Sequence, residues 1–155
     1  MRRLVPTILC TLALVGLGGE SVAAADPASV GEFTLAYSRS GGIAGSTQTL
    51  AVRPGRRATA TIGGAPSERT RVDFRLGARR VRALQQSLAR ADIGSIPPPG
   101  PSGCADCFLY DLRYDGRRVE LEEVDVPPRL SAVFAQLDAI IDAHAASPNA
   151  LAERG

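Results

Sequence analysis

Between residues 33 and 76 apolar side chains recur at every second position. Phe33, Leu35 and Tyr37 form one such series, Leu50 and Val52 a second, Ala58, Ala60 and Ile62 a third, and Val72, Phe74 and Leu76 a fourth. This alternation predicts half-buried strands. Arg53-Pro54-Gly55-Arg56 joins the second to the third. A two-residue loop there would set Val52 against Arg57, whereas a three-residue loop (54 to 56) pairs Val52 with Ala58 and Leu50 with Ala60, so register favours three. Gly63 to Ser67 supplies the next turn. From Ala78 to Ala91 the period changes: Val81, Leu84 and Leu88 recur at helical spacing, arginines and glutamines fill the other side, and Gly94 is a candidate stop.

The run from Ile96 to Gly103, rich in proline, predicts an extended connector. Tyr114-Asp115-Gly116-Arg117 then signals a tight hairpin, pairing Leu112 with Val119 and Tyr110 with Leu121. The opposite face carries Asp111, Arg113, Arg118 and Glu120, with opposite charges on the diagonals Asp111–Arg118 and Arg113–Glu120. Apolar phase shifts between Leu121 and Val124, placing a bulge or the strand end there. Pro127-Pro128 opens a second helix with the stripe Leu130, Val133, Phe134, Leu137, Ile140 and Ile141. The order predicts an α+β fold, an antiparallel sheet of about five to six strands with two helices packed on one face.

Residues 1–25 read as a cleaved secretion signal: Arg2 and Arg3, an apolar run from Leu4 to Leu17, then Ala23-Ala24-Ala25. That run is short for a membrane span, which needs about 20 residues. An exported protein follows, with a linker at 26–31, one domain at 32–146 and a flexible tail at 147–155. Net charge is +2, and Arg2, Arg3 and Glu20 contribute +1 of it, so the processed chain stands near neutrality. It makes no electrostatic case for nucleic acid. The 18 Lys and Arg residues of the full sequence are all arginine, which reflects base composition rather than a binding surface. No other segment is apolar enough for a membrane.

Cys104-Ala105-Asp106-Cys107 is the only CxxC. In an exported chain the default is a disulfide between Cys104 and Cys107, closing a short ring worth roughly 2 kcal/mol by the chain-entropy argument. Redox chemistry and metal binding are the alternatives, and a redox cysteine is usually placed at a helix N-terminus, whereas this motif leads into a strand. His144, the single histidine, reads as an ordinary surface residue at a helix end. Glu120, Glu122, Glu123 and Asp125 read as a solvated edge. No nucleophile elbow occurs, no cofactor is implied, and no convincing catalytic set emerges.

Between two strand-like runs lies Ser40-Gly41-Gly42-Ile43-Ala44-Gly45. No helix follows, so a phosphate cradle is excluded. The segment is either a turn that merely reverses the chain or a bare tip displayed to a partner.

Two pieces together resemble a known pattern: Tyr37-Ser38-Arg39-Ser40-Gly41-Gly42-Ile43-Ala44-Gly45, and Ala105-Asp106-Cys107-Phe108-Leu109-Tyr110-Asp111-Leu112 with its hairpin and the helix from Pro127. Over residues 33–143 the chain is similar to the emfourin family, small proteins named for inhibiting protealysin, a thermolysin-like zinc metalloprotease. The resemblance implies an inhibitor that docks into the cleft of such a secreted protease. Gly41, Gly42, Ile43, Ala44 and Gly45 would be its contacts, with Ile43 the apolar anchor and Arg39 and Ser40 at the margin. A secreted cell-envelope or small-ligand binding domain without protease inhibition is the alternative function.

Overall fold

The strands are β1 (Leu35–Gly41), β2 (Ser46–Arg53), β3 (Arg57–Gly63), β4 (Thr70–Arg75), β5 (Phe108–Tyr114) and β6 (Arg117–Glu122). They form one antiparallel sheet in the order β4-β3-β2-β1-β5-β6. Two helices, α1 (Ala78–Ala91) and α2 (Pro128–Ala145), complete the α+β architecture. These features come from a computed structural model that describes residues 32–97 and 103–145. The expected signal peptide, linker and tail lie outside the described residues, as does the middle of the proline connector. Among the described residues no helix is long and apolar enough to cross a membrane.

Hairpin turns connect β1 through β4, so these strands lie side by side. The chain then travels by α1 to the other side of β1, where β5 pairs with β1 and β6 forms the far edge. Register follows the apolar pattern. Val52 faces Ala58 and Leu50 faces Ala60 across the three-residue loop, while Leu112 faces Val119 and Tyr110 faces Leu121. In the second hairpin Asp115 (φ 53°) and Gly116 (φ 70°) both adopt the left-handed conformation that matches strand twist in a two-residue loop. On its solvent face Arg118 pairs with Asp111 at 2.7 Å and also with Glu120. The second expected diagonal does not form, because Arg113 turns to Asp111 at 3.5 Å and Arg118 already holds Glu120. Past Leu121 the phase shift is a strand end, with a single 3-10 turn over Glu123–Asp125.

Leu35, Tyr37, Leu50, Val52, Tyr110 and Leu112 face inward from the central strands. Against them pack Val81, Leu84 and Leu88 of α1 and the whole predicted stripe of α2. Helix α2 lies over β2, β3 and β4, where Ala58 and Ala60 leave room for its approach. The helices run antiparallel and are tied by Gln136 Nε2 donating to Ser87 Oγ at 2.9 Å. Helix α1 does not stop at Gly94. Asp92 ends it in the left-handed conformation (φ 44°), which aspartate tolerates better than most residues. Gly94 lies within the 3-10 turn Ile93–Ser95 that follows, beside the mobile end of the exposed Arg117 side chain.

Candidate functional site

The Gly-rich segment caps the β1–β2 hairpin. Gly41 pairs with Ser46, leaving Gly42 to Gly45 as a four-residue turn closed by Gly45 N–H donating to the Gly42 carbonyl at 2.9 Å. Gly41 (φ 120°), Gly42 (φ 71°) and Gly45 (φ 57°) all take positive φ, a conformation costly for other residues. Glycine is also required for space. A Cβ on Gly41 would stand 2.5 Å from the Cys107 carbonyl oxygen, and one on Gly42 would stand 3.0 Å from the Phe108 ring. The turn therefore lies directly on the strand that the cysteines introduce.

Cys104 and Cys107 are joined by a disulfide, with Cα atoms 5.6 Å apart. This knuckle immediately precedes Phe108, which pairs with Gly41 in the sheet. The Phe108 N–H also donates to Glu123 Oε2 at 3.3 Å, tying the strand start to the turn after β6.

Beneath the tip, Arg39 faces the helices. Its guanidinium lies 4.6 Å from the Phe108 ring centre and donates to Asp138 Oδ2 of α2 at 2.7 Å. The Tyr37 hydroxyl donates to the other oxygen, Oδ1, at 2.8 Å. Burial, reinforced by that hydrogen bond, pushes the Tyr37 phenol far above its ordinary range, so it remains a donor. A chain of contacts thus runs from α2 through Asp138, Arg39 and Phe108 to Gly42. It braces the turn from below.

The candidate contacts Arg39, Ser40, Gly41, Gly42, Ile43, Ala44 and Gly45 occupy one end of the sheet. Ile43 is 94% exposed, and Ala44 and Gly45 are exposed beside it. Arg39 is committed to Asp138 and offers only a margin of its side chain. Ser40 points to the open face of the sheet, opposite Thr47 and Leu109.

The structure adds two residues that periodicity alone did not single out. Leu109 (50% exposed) pairs with Ser40 on one side and Glu122 on the other, and Val124 (65% exposed) lies in the turn just after Glu122. With Ile43 they are the exposed large hydrophobic residues among the described ones, and all three lie at this same end. Leu109 had a legible signal, since it is apolar in the polar phase of β5. Asp138 had one too, as a carboxylate within the face made by Phe134, Leu137 and Ile141.

His144 differs from expectation. Its ring stacks on Phe74 with centres 3.7 Å apart, and its Nδ1 contacts the Ile140 carbonyl at 2.9 Å. A carbonyl only accepts, so Nδ1 carries the proton. This half-buried stack covers the edge strand β4, a tertiary contact invisible from the helix end alone. No carboxylate or hydroxyl hydrogen-bonds the ring among the described residues, and no group of three or more His, Cys, Asp or Glu side chains there converges to hold a metal ion. The acidic run lies on edge strand β6 and the turn that follows it. No family model and no curated protein matches the chain.

Proposed function

We propose that this chain is an exported protein-binding module of the emfourin type, which inhibits a thermolysin-like metalloprotease by inserting the Gly41–Gly45 turn into its active-site cleft. The observation that carries the reading is Ile43, 94% exposed at the summit of a turn whose base is braced on the sheet and α2. An apolar side chain held so far into solvent contributes nothing to the fold. In a hydrophobic pocket it becomes an anchor, and the ordering cost of binding has already been met by the brace. Leu109 and Val124 extend the apolar contact at the same end.

In this reading the turn must also resist cleavage by the protease it enters. Extended peptides dock by adding a strand to an exposed edge. The Gly45–Gly42 hydrogen bond keeps this backbone closed, away from the extended geometry in which a substrate is cut. In this reading the module performs no reaction, and the disulfide serves to fix the start of β5 beside the turn.

The test is inhibition of a panel of thermolysin-like metalloproteases by the processed protein. Ile43→Asp is expected to abolish inhibition while changing stability by less than about 0.5 kcal/mol, as for an exposed substitution. Full inhibition by that variant, or no inhibition anywhere in the panel by the unaltered protein, overturns the proposal.

A further inference from the structure

The two edges of the sheet are finished differently. On β6 the inward-facing Val119 and Leu121 are buried, and Arg118 on the other face is held by Asp111 and Glu120. On β4 the inward-facing Val72 and Phe74 are only half-buried, although Phe74 stacks on His144. Among the described residues no strand pairs with the outer side of β4. Natural edges are blunted by proline, by bulges or by inward-pointing charges. β4 has none of these. Thr70–Arg75 contains no proline, its pairing with β3 runs unbroken, and Arg71, Asp73 and Arg75 lie on the solvent face.

The backbone fixes which groups of this edge are free. Leu76 N–H donates to the Arg56 carbonyl, just before β3, at 2.9 Å. Hydrogen-bonded positions alternate along an antiparallel ladder, so Val72 and Phe74 turn their N–H and C=O groups to β3. Arg71, Asp73 and Arg75 turn theirs outwards, and an added strand must pair with these.

A second copy of the chain would pair about a two-fold axis. Two registers compatible with the outward groups keep all but one residue of β4 in the ladder. Centred on Asp73, the pairing sets Asp73 against the partner's Asp73 and Arg71 against the partner's Arg75, like charges throughout. Centred on Val72, it sets Arg71 against the partner's Asp73 and Asp73 against the partner's Arg71. Val72 then meets the partner's Val72 in the non-hydrogen-bonded position, where side chains come closest. The remaining like pair, Arg69 with the partner's Arg75, falls at the ladder's ends, and Arg69 lies outside the strand. Asp73 accepts from Thr59 at 2.5 Å and from Arg71 of its own strand at 3.4 Å, both on Oδ1. Arg71 and Asp73 nevertheless remain 61% and 64% exposed, open to a further partner.

We infer that β4 is a self-association edge, through which two copies pair antiparallel about Val72 to form one continuous sheet. A foreign peptide would have to supply matching charges, whereas β4 reversed against itself already does. A single strand pair buries less than a standard interface, so the dimer is reversible. The Gly41–Gly45 turns, on β1 and β2, point in opposite directions in such a pair and stay clear of it. The inference does not depend on the function proposed for them.

Sedimentation equilibrium of the processed chain, up to about 1 mM, is expected to show a monomer–dimer equilibrium. Amide exchange followed by NMR should show Arg71 and Asp73 gaining protection as concentration rises, with Val72 protected throughout. Arg71→Asp and Asp73→Arg each put like charges on both sides of the axis, and each should weaken self-association by about tenfold or more. Both positions are exposed, so melting of the monomer should be preserved. An equimolar mixture of the two variants, one acidic and the other basic at both positions, should associate more tightly than either alone. Ile43→Asp should self-associate like the parent.

The inference is overturned by absence of a dimer up to that concentration, by protection appearing on β6 rather than β4, by single variants that associate like the parent, or by a mixture no tighter than its components. Dimerisation lost in Ile43→Asp would assign the contact to the Gly41–Gly45 turn instead, and loss on deleting residues 146–155 would assign it to the chain's own terminus.

Discussion

At one end of the sheet the chain turns through Gly41–Gly45 and holds Ile43 out in solvent; at the other, β4 passes through Leu76 into α1, and Leu76, Leu84 of α1 and Ile140 of α2 are core residues, each at most 3% exposed. The first end is shaped by backbone. Glycines accept positive φ and let β5 approach, a disulfide fixes the neighbouring strand start, and one carboxylate on α2 ties the base. The second end is shaped by side-chain packing, where two helices meet a sheet edge. Damage should therefore travel differently from each. A change at the packed end lowers global stability, whereas a change at the turn alters a local surface that the core scarcely feels.

The largest expected effect is at the packed end. Leu84→Ala removes a buried core side chain of α1 and should cost about 2–5 kcal/mol in chemical denaturation, with the Gly41–Gly45 turn left unchanged. Loss of less than about 1 kcal/mol would mean that the surrounding core side chains collapse to fill the space.

Alkaline pH strikes between the two ends. Tyr37 holds its proton in the fold at pH values where an unfolded phenol, with its ordinary value of 10.0, has lost it. Above that pH the unfolded state binds fewer protons, so stability is complete below about pH 10 and declines by about 1.4 kcal/mol per pH unit above it. Burial also raises Tyr110 and Tyr114, so the decline should steepen. Ultraviolet titration of tyrosine ionisation, followed together with circular dichroism, should show Tyr37 ionising only as the fold is lost.

Gly41→Ala combines strained φ with the clash against the Cys107 carbonyl oxygen, and should cost about 1–3 kcal/mol. The same substitution at Gly45, where no atom lies within 4 Å of a Cβ, keeps only the backbone strain and should cost less by thermal melting. Equal losses at the two positions would show that space beside Cys107 is not what selects glycine.

Replacing Cys104 and Cys107 by serine should cost roughly 2 kcal/mol, with hydrogen exchange rising at the start of β5 rather than in the helices. The smallest stability change belongs to Ile43→Asp, near zero in melting, although its effect on protease inhibition is expected to be total. A large stability loss there would break the contrast between the two ends.

Much of the architecture was legible in the pattern of residues. Strand pairing followed from matching apolar phases, as with Val52 opposite Ala58, because a one-residue slip would turn each strand inside out. The buried stripe of α2 was readable to the residue, since helical spacing and burial reinforce one another. Site reading was less complete. The glycines marked the turn, but their reason lay in Cys107 and Phe108, more than sixty positions downstream. His144 looked like a surface residue because its partner, Phe74, is brought to it only when α2 crosses to the sheet edge. Gly94 looked like a helix stop, but Asp92 takes the left-handed conformation two residues earlier and ends α1 itself.

By itself the sequence determined the elements, their inward faces, the hairpin registers and the place of the bare turn. All of these depend on local dihedral preference and on hydrophobic period, which are properties of neighbouring residues. Tertiary structure alone decided that β5 would lie beside β1, that Asp138 would brace Arg39 and Tyr37, and that His144 would stack on Phe74. Those outcomes require chain segments far apart in sequence to meet, and no local period records which distant surfaces a folded chain brings together.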